Sequence, residues 1–345
     1  MKTRIYTEQD LEIKAVQDDI KKTLQQGGNV IFPTETVYGI GAYAFSEKGI
    51  KGIYKVKGRP SDNPLIMHVN HVDDVLNYTI DHKPYVDELI KRFWPGPMTI
   101  VLKKKSIVPT YITGGLDTVG IRIPNHLIAR KVIDIAGVPI CAPSANISGR
   151  PSATLFEHVI EDFKDKVDII IDGGKTNAGL ESTVIDATHE YPIILRPGMI
   201  TKEMIKDIHK DVKESSLLDQ SDIPKAPGMK YRHYAPKGDL VIIEGSLEKV
   251  LAYINQKIDE NRSLGLKSGV ICTMEIKDSF KDALVISLGN MSNEEEIASN
   301  LFSTLRTMDK ENVDIIYSIA FDKGKYKDAM MNRLLKAANN QIIHL

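Results

Sequence analysis

The chain has only two cysteines in 345 residues, Cys141 and Cys272, far apart and each inside an apolar run. Two such residues form no disulfide framework, and they read as buried thiols of a reducing compartment. No apolar stretch approaches the roughly 20 residues that a membrane-spanning helix needs. The opening residues, MKTRIYTEQD, carry no signal-peptide pattern. A soluble, cytoplasmic protein with no membrane partner is therefore expected. An excess of one charge is lacking as well: 45 basic and 46 acidic residues leave a net charge of −1. That excludes a globally basic nucleic-acid binder, although a local basic face stays open.

Familiar chemical signatures are also missing. There is no GxGxxG opening a helix, no HExxH, no paired CxxC and no GxSxG. Gly173-Gly174-Lys175-Thr176 is similar to the end of a phosphate-binding P-loop. The position that must be glycine is Ile169, however, and no helical pattern follows. The nine histidines form no cluster with metal-ligand spacing, so no protein-held metal is expected. A single histidine in a strand, such as His68, reads by default as a hydrogen-bonded core residue.

What is present begins with the stretch 29–64. The apolar run Val30-Ile31-Phe32 reads as a buried strand that stops at Pro33 and empties into Thr34-Glu35-Thr36, then Tyr38-Gly39-Ile40-Gly41. Hydroxyls at a strand end, followed by glycines that permit close backbone approach, are a common way to begin a ligand pocket. The bland reading gives Glu35 and Thr36 only the task of bracing the turn. A helical pattern follows and ends in Lys55, Lys57 and Arg59 before Pro60. Three cations within five residues repel one another, which suits an anionic partner. A solvated helix end that favours cations is the alternative.

At this length two domains are expected. In the first, helices are expected over 11–26, 84–93, 126–136 and 201–212. Strands are expected near 29–33, 65–69, 98–102, 117–124, 138–142, 168–171, 183–186 and 193–195. The segment 117–124 alternates in period two and leaves Thr118 and Arg122 on one face. The strand near 140 runs into Pro143-Ser144-Ala145-Asn146-Ile147-Ser148-Gly149-Arg150-Pro151-Ser152, either a second site or a hydrogen-bonded turn with a helix cap. Residues 215–237 hold three prolines and no periodicity, and so read as a linker. Yet Lys230-Tyr231-Arg232-His233-Tyr234 is aromatic and basic enough to suggest a lid. From 238 to 345, strands alternate with helices at 246–258, 293–309 and 325–338, which implies a parallel sheet.

The blocks PTETVYG, KGRPSDNPLIMH, WPGPMTIVL, TVGIRIPNH, APSANISGRPSAT, ESTVID and LRPG occur in this order. Together they resemble the YrdC-like threonylcarbamoyl-AMP synthase family, over about residues 10 to 212. The KxR signature is Lys57-Gly58-Arg59 and the SxN signature is Ser144-Ala145-Asn146. PGMKYRHYAP and a terminal α/β segment ending AMMNRLLKAA are similar to the long, two-domain form. The resemblance implies an α/β protein. Its first domain, 1–214, is an open twisted sheet whose concave face holds the substrates, and its second, 238–345, is Rossmann-like and parallel. It also implies the reaction, in which L-threonine, bicarbonate or CO2, and ATP give threonylcarbamoyl-adenylate and pyrophosphate. Partner enzymes then transfer the threonylcarbamoyl group to an adenosine beside the tRNA anticodon. Mg²⁺ is expected to arrive with ATP and not in a dedicated protein site, and RNA is expected as no more than a weak contact.

No covalent nucleophile is required, because such a transfer depends on positioning and on neutralising phosphate charge. By resemblance, Lys57 and Arg59 carry the chemistry at the phosphates, lysine as a point charge and arginine as a fork. Arg122 suits the threonine carboxylate, with Thr34, His68 and Ser182 around the amino acid. Ser61, Thr118, Ala142, Ser144, Asn146, Ser152 and Arg196 line the ATP or carbamate side, with Tyr231 reaching in from the linker. Replacing Lys57 or Arg59 is expected to leave the fold intact. Two other classes remain. One is an RNA-binding module, which would show no threonine-dependent ATP consumption. The other is a different carbamoyl transferase, whose cysteine-rich and acylphosphatase-like segments are absent here.

Overall fold

The computed structural model describes residues 2–215 and 233–345. Tyr231, like most of the expected linker, lies outside the described residues. The described chain divides into two compact units. One comprises residues 2–148, 153–177 and 181–215, and the other 149–152, 178–180 and 233–345.

The first unit carries strands β1 (Arg4–Thr7), β2 (Val30–Phe32), β3 (Gly39–Tyr43), β4 (Ile66–His68), β5 (Met98–Lys103) and β6 (Thr118–Arg122). It continues with β7 (Ile140–Cys141), β8 (Ile169–Asp172), β9 (Thr183–Asp186), β10 (Ile193–Arg196) and β11 (Lys213–Glu214). They form one mixed sheet in the order β1-β8-β2-β3-β7-β4-β6-β5-β9-β10-β11.

Strand alternation decides what lies on each face. In β2, Val30 and Phe32 join a cluster with Ile20 and Leu24 of the helix Lys14–Gln25 and with Ile128 and Val132 of the helix Leu127–Ala136. Ile31 points the other way, into the larger cluster with Met67, Ile100, Val119, Ile121 and Ile185. This explains the unbroken apolar run: β2 is buried on both sides. Each such side chain contributes about 1.5–3 kcal/mol by leaving water. Beyond β7 the face opposite the larger cluster loses its apolar cover. His68, Thr99, Thr118, Gly120, Arg122 and Ser182 occupy it, beside a small patch of Val101 and Val184.

Three local expectations change. The helix expected over 201–212 is the short helix Lys202–Lys206, and the chain then pairs as β11 with β10. Its apolar stripe ends at Ile208, and the polar His209-Lys210-Asp211 interrupts it before Val212. The glycines of β3 serve packing: a Cβ at Gly41 would stand 2.7 Å from the Phe32 ring and 2.8 Å from Ile140. The edge strand β1 gave no sequence signal, since half its residues are exposed and among the described residues it pairs only with β8.

The second unit holds β12 (Asp239–Glu244), β13 (Ser268–Cys272), β14 (Leu284–Ser287), β15 (Ile315–Ile319) and β16 (Ile342–His344). Their order is β14-β13-β15-β12-β16 and every pairing is parallel, as the alternation of strands and helices implied. The helices Leu247–Ser263, Glu294–Lys310 and Lys327–Ala337 supply the crossovers. Cys141 and Cys272 are both buried free thiols. Among the described residues no helix is long and apolar enough to cross a membrane.

Candidate active site

The helix Glu47–Lys57 starts with Ser46 accepting from the Gly49 amide and stops at Gly58, whose φ of +62° favours glycine. The stop is fixed by Gly58 N–H donating to Lys55 and Arg59 N–H to Tyr54. Lys57, on the last turn, is not a solvated cation: it is 1% exposed. Its Nζ donates to the carbonyls of Ser144 and Asn146, each at 2.6 Å, and its own carbonyl accepts from Ser148 N–H at 2.8 Å. The two signature tripeptides, 87 residues apart, are thus joined through one side chain. Ser144 Oγ donates to Asn146 Oδ1 at 2.7 Å, which makes the loop a folded unit. Arg59 is half-buried and donates to the Pro64 carbonyl at 3.1 Å, and Ser61 is exposed beside it. Ala142 is buried, and its amide donates to Ile66.

A second group surrounds Arg122. Strands β4 and β6 are parallel, and His68 is the register partner of Arg122. Arg122 Nε donates to the Gly96 carbonyl at 3.2 Å and Nη1 to the Thr36 hydroxyl at 3.0 Å. Nη2 lies 2.8 Å from Glu35 Oε2 in an ion pair whose two side chains are 5% and 9% exposed. The Thr36 hydroxyl meets that of Thr34 at 2.8 Å, and Thr34 donates to the Val37 carbonyl at 2.7 Å. Thr118, half-buried at the other end of β6, stands roughly 13 Å from Arg122 along the strand. The side of β6 that faces away from the apolar core therefore has an arginine at one end and a hydroxyl at the other.

The third group is at β9 and β10. Arg196 Nε and Nη2 donate to the Ser182 carbonyl at 3.1 and 2.9 Å, and Nη2 reaches the Ser182 hydroxyl at 3.2 Å. That hydroxyl also meets Thr99 Oγ1 at 2.8 Å. Ser152 is fully buried and belongs to the segment 149–152 of the second unit. Sequence reasoning gave Thr99 and Glu35 no part in the site. Thr99 is one hydroxyl inside an apolar strand, visible only as a break in MTIVL.

Burial, reinforced by the neighbouring Arg122 charge, pushes the His68 pKa down to about 3. The ring is therefore neutral at neutral pH, with Nδ1 3.2 Å from the Ile66 carbonyl. The unfolded state takes up a proton on this residue near pH 6.5 and the folded state does not. Stability is then complete above that value and falls as pH drops from 6.5 toward 3. His68→Gln is expected to remove this contribution, about 1.4 kcal/mol per pH unit. Urea unfolding at pH 7 and pH 5 checks it, and parallel losses in both proteins would refute it.

Among the described residues no group of three His, Cys, Asp or Glu could hold a metal ion. The side chains gathered in these groups are hydroxyls, an amide, one neutral imidazole, guanidinium groups, the Lys57 ammonium and the Glu35 carboxylate, which together suit anions and a small polar molecule.

A family model described as telomere recombination, covering Sua5, YciO and YrdC, matches residues 22–198. The model of the threonylcarbamoyl-AMP synthase C-terminal domain matches residues 200–339. The chain is 46% identical to the threonylcarbamoyl-AMP synthase of Pyrococcus abyssi, over 93% of each chain. It is 42% identical to that of Bacillus subtilis, over 93% of this chain and 92% of the relative. A crystal structure of P. abyssi Sua5 complexed with L-threonine is similar across 100% of both chains, with a TM-score of 0.92 and 42% identity. With both family models matched and such identity along nearly its whole length, the chain belongs to the threonylcarbamoyl-AMP synthase family.

Proposed function

We propose that this protein is an L-threonylcarbamoyladenylate synthase. It converts L-threonine, bicarbonate or CO2, and ATP into threonylcarbamoyl-AMP and pyrophosphate, in the cytoplasm, for modification of tRNA beside the anticodon. The observation that carries the reading is the 46% identity with a threonylcarbamoyl-AMP synthase over 93% of both chains. The buried junction of Lys57 with the Ser144–Asn146 loop supports it independently.

Threonine's free amine attacks CO2, forming a C–N bond and releasing a proton. A carbamate oxygen then attacks the α-phosphorus of ATP, and the bond to the pyrophosphate oxygen breaks. Arg122 holds the α-carboxylate, with Thr34, neutral His68 and Ser182 around the amino acid. A hydrogen bond to the threonine hydroxyl rejects valine by about 1–3 kcal/mol, because the buried partner would be left unmatched. Lys57 shapes the loop that receives the triphosphate, which Arg59 contacts, and Ser61, Thr118, Ala142, Ser144, Asn146, Ser152 and Tyr231 line the ATP or carbamate side. Arg196, bonded to Ser182, sits where the two substrates meet. Mg²⁺ arriving with ATP would offset the charge of the triphosphate without a dedicated protein site. The product passes to enzymes that transfer the threonylcarbamoyl group to tRNA.

The test is pyrophosphate release from ATP with each substrate omitted in turn. Release that needs both threonine and bicarbonate is expected. Release indifferent to threonine, or none at all with RNA affinity retained, would overturn the reading in favour of another ATP-using enzyme or an RNA-binding module.

A further inference from the structure

The Glu35 carboxylate makes no hydrogen bond within its own turn. Within the turn the Thr34 amide donates to the Val37 carbonyl at 3.3 Å, and the Thr34 hydroxyl accepts from Thr36 N–H at 3.2 Å and donates to the same carbonyl. The Glu35 carboxylate instead projects beside Arg122, with the residue 7% exposed. Its Oε2 is close to Arg122 but poorly aligned for a hydrogen bond, and its Oε1 has no hydrogen-bond partner among the described residues. A carboxylate oxygen buried without a donor is costly. Such an unmatched buried oxygen in a native fold calls for an explanation, and a ligand that donates to it is one.

The charges around it narrow the ligand. Arg122 is the cation in contact with Glu35. The pKa of nearby His126 is pushed down by burial, and His68 is neutral. The site thus presents one buried positive and one buried negative group side by side. Arg122 is held on Gly96 and Thr36, so its position does not depend on Glu35 alone.

We propose that Glu35 is a recognition residue for the amino-acid substrate. Its free Oε1 accepts a hydrogen bond from the α-amino group while Arg122 holds the α-carboxylate. The pair reads both ends of a zwitterion, which selects α-amino acids over carboxylates that lack the α-amino group. The amino nitrogen donates this bond as ammonium or as free base, so the contact persists until the carbamate forms. This inference rests on placing threonine at Arg122.

The test compares wild type, Glu35→Gln and Glu35→Asp in calorimetric titrations with L-threonine and with 3-hydroxybutanoate, which is threonine without its amino group. Wild type is expected to bind threonine at least about tenfold more tightly than 3-hydroxybutanoate. In Glu35→Gln the threonine Kd should rise by at least about tenfold and that of 3-hydroxybutanoate by less than about threefold. Glu35→Asp, which keeps the charge, should fall between. The KM for ATP should stay unchanged in all three. If Glu35 only competes for Arg122, the glutamine variant binds both ligands more tightly. If it is merely structural, both weaken equally. Either result overturns the proposal and leaves the placement of threonine standing. A wild-type protein that fails to bind threonine overturns the placement, and this inference with it.

Discussion

Lys57→Ala is expected to lose at least about 99% of threonine-dependent pyrophosphate release and also to destabilise the first unit. Burial of this lysine adds a loss of stability to the sequence-based expectation of an intact fold. Its Nζ makes two 2.6 Å hydrogen bonds to the carbonyls of Ser144 and Asn146. A hydrogen bond from a charged donor contributes about 1.5–3 kcal/mol, and alanine would leave both carbonyls without it in a buried site. A loss of roughly 2–4 kcal/mol by urea unfolding is expected, with no change in secondary structure by circular dichroism. Activity is then measured where the variant is still fully folded, which separates the two effects. Arg59→Ala is the control, since Arg59 is half-buried and outside that junction: it should lose activity with little change in stability. A Lys57→Ala protein with wild-type turnover would show that the loop does not need this junction for catalysis.

Arg122→Ala should raise the KM for threonine by on the order of 100-fold or more while the KM for ATP moves by less than about threefold. The split follows from position. Arg122 is at one end of β6 and Thr118 at the other, so under the proposed placement the amino acid is expected at one end and the nucleotide at the other. The substitution also leaves Glu35 as a buried carboxylate without its counter-ion. Removing one partner of a buried ion pair typically costs about 3–5 kcal/mol. The double variant Glu35→Gln with Arg122→Ala is therefore expected to recover part of the lost Tm and none of the threonine affinity. Equal effects on both KM values would mean that Arg122 does not hold threonine.

Much of the fold was legible because burial leaves periodic traces. The helices Pro84–Phe93, Leu127–Ala136 and Glu294–Lys310 fall within a residue of their expected bounds. Each carries an apolar stripe at helical spacing and a clear stop. The parallel sheet of the second unit followed from strands and helices in alternation. Edge elements were less visible. Strands β1 and β16 each have a single neighbour, and β11 has two exposed residues, so little hydrophobic patterning marks them.

The sequence by itself determined which residue types gather at strand ends, and the ordered blocks from PTETVYG to LRPG pointed to the family. What those residues do to one another was decided only by tertiary structure. Lys57 reads in sequence as one cation among three; a contact across 87 residues makes it a buried strut. Glu35 reads as a turn residue; its ion pair with Arg122 makes it half of a buried charge pair. Thr99 reads as a strand residue; pairing of β5 with β9 puts its hydroxyl on Ser182. The reason is physical. Backbone patterning is local and repeats within a few residues, so it is visible in one dimension. The partner of a polar side chain is chosen by which strands lie side by side, and burial then sets how strongly that partner matters.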